Sequence, residues 1–229
     1  MCFSAGHATI PAMADNDTRA AAGYADRDIL AYVDRTHAAH DAALERAFRA
    51  PDEKGMPAIQ VGQGEGRLLE ILLRMVGARR VVEIGTLAGY SAIRCARALG
   101  EDGRLWTIEV LARHAEVARR NLEAAGLGDR VDVIVGEALA VLPSLEQHAP
   151  FDAVFIDADK ESYDKYGRWA HRHLRRGGLL IGDNAFLFGH LLEDTASARA
   201  MRRFHEEAAA GFESVCIPTP DGLLVGMKR

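Results

Sequence analysis

VVEIGTLAGYS, residues Val81 to Ser91, joins a short apolar strand to a glycine turn and then to a helix start. A strand running into Gly85 and Gly89 and out into a helix is the opening unit of an open α/β sheet, whose ligands bind beyond the carboxyl ends of its strands. Glycine in such a turn lets the backbone approach a ligand closely, and the helix start offers free N–H groups. The dinucleotide fingerprint would need a further glycine where Leu87 stands, so the turn suits a nucleoside without a pyrophosphate better than NAD.

Outward from this unit, strands and helices alternate to the end of the chain. RLWTIEV (Arg104 to Val110), VDVIVG (Val131 to Gly136), FDAVFID (Phe151 to Asp157) and GGLLIGD (Gly177 to Asp183) read as strands. Helices are predicted over Ser91–Leu99, Ala112–Ala125, Leu139–Gln147, Tyr163–Leu174 and Thr195–Ala209. FESVCIP and DGLLVGMKR close the chain as a hairpin. The expected fold is α/β: a Rossmann-like, doubly wound, mostly parallel seven-stranded sheet with an antiparallel C-terminal edge hairpin and helices on both faces. Residues 1–22 read as a mobile tail and 23–229 as a single domain, with a helical extension over 23–57. Pro51 to Gly66 reads as a loop before an amphipathic helix over Glu65–Val76.

The chemistry gathers at strand ends. Glu109 closes the second strand, where a carboxylate can accept from both hydroxyls of a ribose. FIDADK (Phe155 to Lys160) places Asp157, Asp159 and Lys160 where a buried strand meets solvent. Asp157 can ligate a hard cation, and Lys160 beside that charge is placed as a general base. IGDN (Ile181 to Asn184) ends the next strand, and in the turn after it the side-chain oxygens of Asp183 and Asn184 can meet the same ion.

Composition narrows the function classes. A net charge of −5 argues against general nucleic-acid binding, and no apolar stretch reaches the ~20 residues of a membrane span. The 3 cysteines are widely separated and odd in number, which suits reduced thiols in a cytoplasmic protein better than disulfides or zinc.

With these residues in place, the chain resembles the cation-dependent class I O-methyltransferases that use S-adenosylmethionine, the group of catechol and caffeoyl-CoA O-methyltransferases and their bacterial relatives. The resemblance runs from about Ala58 to Arg229 and is carried by VGQGEGRLLEILL, VVEIGTLAGYSAI, the acid of TIEV, GEALAVLP, FIDADKESY, GGLLIGDN and DGLLVGMKR. It implies that Val61, Glu83, Gly85, Thr86, Ser91, Glu109, Ala138 and Asp159 hold S-adenosylmethionine. Glu109 would take the ribose, Ala138 would lie by the adenine, and Asp159 would meet the ammonium group. It implies that Asp157, Asp183 and Asn184 ligate a divalent cation, Mg²⁺ first with Ca²⁺ or Mn²⁺ as alternatives, and that Lys160 is the base. The implied acceptor is a small hydroxylated molecule, catechol-like or a vicinal diol, and the implied assembly a homodimer. Phe188 stands where the plant enzymes carry an asparagine, and residues 1–27 hold no counterpart of their basic coenzyme A segment; both argue against a thioester acceptor. Two other classes compete. A nucleotide-dependent oxidoreductase would want the missing glycine, and a non-catalytic binding module would leave Lys160 beside two acids without purpose.

Overall fold

The computed structural model describes residues 27–229, so the predicted tail over 1–22 lies outside the described residues. Two helices, α1 (Arg27–His37) and α2 (Ala42–Glu53), precede α3 (Gln63–Met75). Then come β1 (Arg80–Ile84), α4 (Tyr90–Ala98), β2 (Arg104–Glu109), α5 (Ala112–Ala124), β3 (Val131–Val135) and α6 (Ala138–Leu145). The second half runs β4 (Phe151–Ile156), α7 (Tyr163–His173), β5 (Leu174–Gly182), α8 (Ala196–Gly211), β6 (Phe212–Ile217) and β7 (Leu223–Lys228).

The strands form one seven-stranded sheet in the order β3-β2-β1-β4-β5-β7-β6. The first five are parallel; β7 lies antiparallel between β5 and β6, so β6 is the edge. Alternate residues of each strand face opposite sides of the pleat, and both sides are packed. Val82, Ile84, Val154 and Ile156 join Trp169, Met201 and Phe204 on one face. Val81, Leu105, Ala153 and Phe155 join Leu69, Leu73, Ile93 and Leu122 on the other. Burying a side chain of that size stabilises the fold by ~1.5–3 kcal/mol, and both faces of the central strands contribute.

Register is what builds the site. Ile84 is paired with both Ile108 and Ile156, and Ile156 with Gly182. The residues that follow each pair, Gly85, Glu109, Asp157 and Asp183, therefore leave the sheet at one level. Chain order reverses between β1 and β4, which opens the crevice between them at that level.

The amino-terminal helices are tied to this edge. Asp41 caps α2 by accepting from the Ala43 and Leu44 backbone N–H groups. Arg94 pairs with Glu70 at 3.2 Å and donates to the Ala38 carbonyl, while the Tyr90 hydroxyl bonds His40 Nε2 at 2.9 Å. The loop between α2 and α3 is shorter than the Pro51–Gly66 expected. Helix α2 runs past Pro51, and Gly64 and Gly66 belong to α3. Those two glycines mark close packing: a Cβ at Gly64 would meet Asp34 Oδ1 at 2.8 Å, and one at Gly66 the Tyr90 ring at 2.9 Å. No described helix is long and apolar enough to cross a membrane.

Candidate functional site

A cavity of about 710 Å³ lies along the carboxyl edge of β1, β2 and β4. Its roof is the loop carrying Pro57, Ile59, Gln60 and Val61, and Phe188 stands at its far rim. Val61, Gly85, Thr86, Ser91, Glu109, Ala138, Asp157, Asp159, Lys160 and Asn184 all line it, so ten of the twelve sequence-predicted site residues share one cavity. Glu83 and Asp183 do not line it and sit behind its wall.

At the β1–β2 end, Glu109 organises the backbone. Its Oε2 accepts from the Leu87 and Thr86 N–H groups at 2.9 and 3.3 Å, and its Oε1 from the Leu111 N–H at 3.0 Å. His114 Nδ1 lies 3.6 Å away. Leu87, standing where a dinucleotide site would carry glycine, adopts φ 51°, a left-handed conformation that costs ~1–3 kcal/mol for a non-glycine residue. The Glu109 bond to its N–H offsets part of that cost. Gly85 has φ 98°, and a Cβ there would fall 2.0 Å from the Asp157 carbonyl. The close approach that requires glycine is therefore that of the next strand end, which brings the two halves of the site together.

Glu83 lies beneath the cavity floor, fully buried. Its Oε2 accepts from the Thr107 hydroxyl, and the Thr107 and Thr86 hydroxyls bond each other, so Thr86 stands between Glu83 and the cavity. Glu83 Oε1 has no hydrogen-bond partner. Burial pushes the carboxyl up to about 7, against the Ser91 and Thr107 hydroxyls, which favour its charged form.

At the β4–β5 end the acids crowd. Lys160 Nζ donates to Asp157 Oδ1 at 3.2 Å and to the Tyr163 hydroxyl at 3.0 Å. That hydroxyl lies within hydrogen-bond reach of the Ile156 and Asp183 carbonyls, fixing α7 against both strand ends. Burial first, then the negative charges of Asp157 and Asp183, raise the Tyr163 phenol well above its usual range. Asp183 is itself pushed up to about 7 by burial and then by Asp157 and Glu65. Its Oδ1 accepts from the Asn184 N–H at 2.7 Å, and Asn184 takes φ 53°. Asp159 accepts from the Tyr166 hydroxyl.

Sequence reading missed Tyr163, Tyr166, Thr107 and His114. The two tyrosines sit one turn apart at the start of α7, straight after FIDADK; that adjacency is the signal that could have found them. His190, in the loop after the Asp183–Asn184 pair, is paired with Glu193 on the surface at 2.6 Å. Among the described residues no group of three His, Cys, Asp or Glu side chains could hold a metal ion. Two carboxylates, an amide and a lysine are what the β4–β5 end presents.

The chain is similar to known proteins in both sequence and fold. The family model described as O-methyltransferase matches residues 35–229. A catechol O-methyltransferase of Mycobacterium tuberculosis is 47% identical over 178 residues, spanning 77% of this chain and 80% of that protein. The O-methyltransferase TomG of Streptomyces achromogenes, solved in complex with SAM, superposes with a TM-score of 0.82 at 37% identity, covering 88% of this chain and 96% of its own. An O-methyltransferase from Bacillus cereus, solved with SAH, gives 0.83 at 36% identity, covering 87% and 96%.

Proposed function

The chain belongs to the O-methyltransferase family and is an S-adenosylmethionine-dependent enzyme, and on that premise we propose that it methylates a hydroxyl of a small catechol-like or vicinal-diol acceptor with the help of a divalent cation. The observation that carries this reading is the convergence of Glu109, the Gly85–Thr86 turn, Lys160 and Asn184 on one cavity, with Asp157 at its wall and Asp183 just behind.

The residues fit both groups. A cavity of about 710 Å³ is large enough for a nucleoside cofactor beside a small acceptor. Asp157, Asp183 and Asn184 offer only oxygen donors, the set a hard cation takes. Asp157 raises the proton affinity of Asp183, a like-charge conflict that a cation relieves. When bound, such an ion lowers the pKa of a coordinated hydroxyl, and S-adenosylmethionine supplies a methyl group on a positively charged sulfur.

What the chain itself does follows from position. Glu109, already holding the turn through Oε2, retains acceptor capacity for ribose hydroxyls at Oε1. Thr86, Ser91 and Asp159 face the methionine part, with Asp159 oriented by Tyr166. Val61 and Ile59 roof the reacting centre and exclude water. Were Asp157 engaged by a cation, Lys160 would be left as the neutral amine with Tyr163 as its partner, and its Nζ lone pair would take the acceptor's hydroxyl proton to give the ammonium. Rate then comes mainly from holding the two reactants in line.

Glu109→Ala is expected to weaken S-adenosylmethionine binding by ~1–3 kcal/mol, through the lost ribose acceptor and the loosened turn. Calorimetric titration checks it; unchanged affinity removes Glu109 from the site.

The reading includes a homodimer. Leu44 is buried and Phe48 packs on His40 and Tyr90, so α2 spends its apolar face within the chain. Ile29, Leu30, Tyr32 and Val33 remain 42–64% exposed on α1, a concentration that supports a covered face. Light scattering at micromolar concentration is expected to give twice the chain mass; a monomer contradicts it.

A further inference from the structure

One part of the cavity wall is built on a strained turn, closed internally by the Leu187 N–H to the Asn184 carbonyl at 2.8 Å and the Gly189 N–H to the Phe186 carbonyl at 3.1 Å. After β5, Leu187 and Phe188 take φ values of 52° and 55°, followed by Gly189 at 85°. Two adjacent non-glycine residues in the left-handed region are each strained, and such a segment persists only where its surroundings over-determine it. Phe188 ends this run with its side chain at the cavity rim, 62% exposed.

His205 on α8 reaches the Ala185 carbonyl at 2.8 Å and Leu187 is buried in the core, and a further set of fixing contacts comes from the turn between β6 and β7. Ala185 N–H donates to the Gly222 carbonyl and Phe186 N–H to the Asp221 carbonyl, each at 2.9 Å. Phe188 N–H donates to Asp221 Oδ1 at 2.8 Å. The Phe186 ring lies flat against Gly222, where a Cβ would meet it at 2.8 Å. Of the hydrogen bonds from this turn, the one to the Asp221 carboxylate is the one made by a side chain, and it reaches the residue whose ring meets the cavity. A charge-assisted bond to a backbone N–H is among the stronger kinds.

We propose that Asp221 is a positioning residue for the methyl acceptor: by clamping the Phe188 backbone it sets the acceptor-side wall, and so decides which hydroxyl of the acceptor is presented. It touches neither cofactor nor reacting atoms. This rests on the methyltransferase reading above and deepens it, because Asn184 and Lys160 line the same cavity as Phe188.

The test compares the full chain with Asp221→Ala and Asp221→Asn, which keeps an oxygen able to accept from Phe188. Three quantities are read: calorimetric affinity for S-adenosylhomocysteine, the rate of chymotryptic cleavage after Phe188, and methylation of 3,4-dihydroxybenzoate, whose two hydroxyls give distinguishable products. In Asp221→Ala, cleavage is expected to quicken and the acceptor KM to rise, each by roughly tenfold, the size of one lost charge-assisted hydrogen bond. The ratio of the two monomethyl products shifts, S-adenosylhomocysteine affinity stays within about twofold, and Asp221→Asn restores most of each change. Unaltered cleavage and KM overturn the proposal. So does a fall in S-adenosylhomocysteine affinity in step with KM, since that is general loosening, or an asparagine variant that behaves like alanine. Failure of the wild type to methylate the probe contradicts the catechol reading instead, and the cleavage comparison then decides for or against the clamp.

Discussion

Lys160→Ala is expected to lower kcat by ~10²–10⁴, the usual range for a general acid–base group, while calorimetric affinity for S-adenosylmethionine hardly changes. Nζ sits at the cavity wall between Asp157 and the Tyr163 hydroxyl, beside the acceptor end rather than the Glu109 end. The sulfonium is already positive and gains nothing from a neighbouring ammonium, so binding of the cofactor does not depend on this residue. A free phenol has a pKa of ~10, so an acceptor of that kind needs help in losing its proton. The deficit should therefore shrink for acceptors with more acidic hydroxyls. Wild-type kcat in the variant on every acceptor would make Lys160 only a charge partner of Asp157.

How legible was this in the sequence? The sheet was, because parallel strands buried on both faces read as short apolar runs such as the AVFI that follows Asp152, and β1, β2, β4 and β5 each end in a polar cluster. Common register then made the clusters meet, which is why residues far apart in sequence were assigned to one site. What failed were inferences about what a residue is near. Gly85 reads in the sequence as room for a ligand, and it lines the cavity, but the approach that a Cβ would block is that of the Asp157 carbonyl. Gly64 and Gly66 were read as loop because their real reason, the approach of Asp34 and Tyr90, is tertiary. Glu83 and Thr107 occupy neighbouring strands, and nothing in either segment announces that their side chains meet beneath the floor. Tyr163 and Tyr166 have the spacing of ordinary core residues on a helix face. Asp221 stands before a glycine in a hairpin connection, where the pair is a turn signal and hides any further task.

Removing divalent cations is expected to have the largest effect of all: EDTA should abolish turnover, and Mg²⁺ or Mn²⁺ should restore it. The argument is electrostatic. Asp157 and Asp183 end adjacent strands, and the buried Asp183 carboxyl is held up to about 7 partly by the charge of Asp157. Lys160 is the cation paired with Asp157 among the described residues. To accept a proton Lys160 must first be the neutral amine, which leaves these acids without a counter-charge unless another cation takes their oxygens. An all-oxygen donor set favours Mg²⁺ or Mn²⁺ over softer metals. The most direct measurement is mass spectrometry of the products formed by the full chain from S-adenosylmethionine and 3,4-dihydroxybenzoate, with Mg²⁺, after EDTA, and after Mg²⁺ is returned. Gain of one methyl group per acceptor is expected in the first and third reactions and none in the second. Undiminished methylation by protein that elemental analysis shows to be free of metal would contradict it.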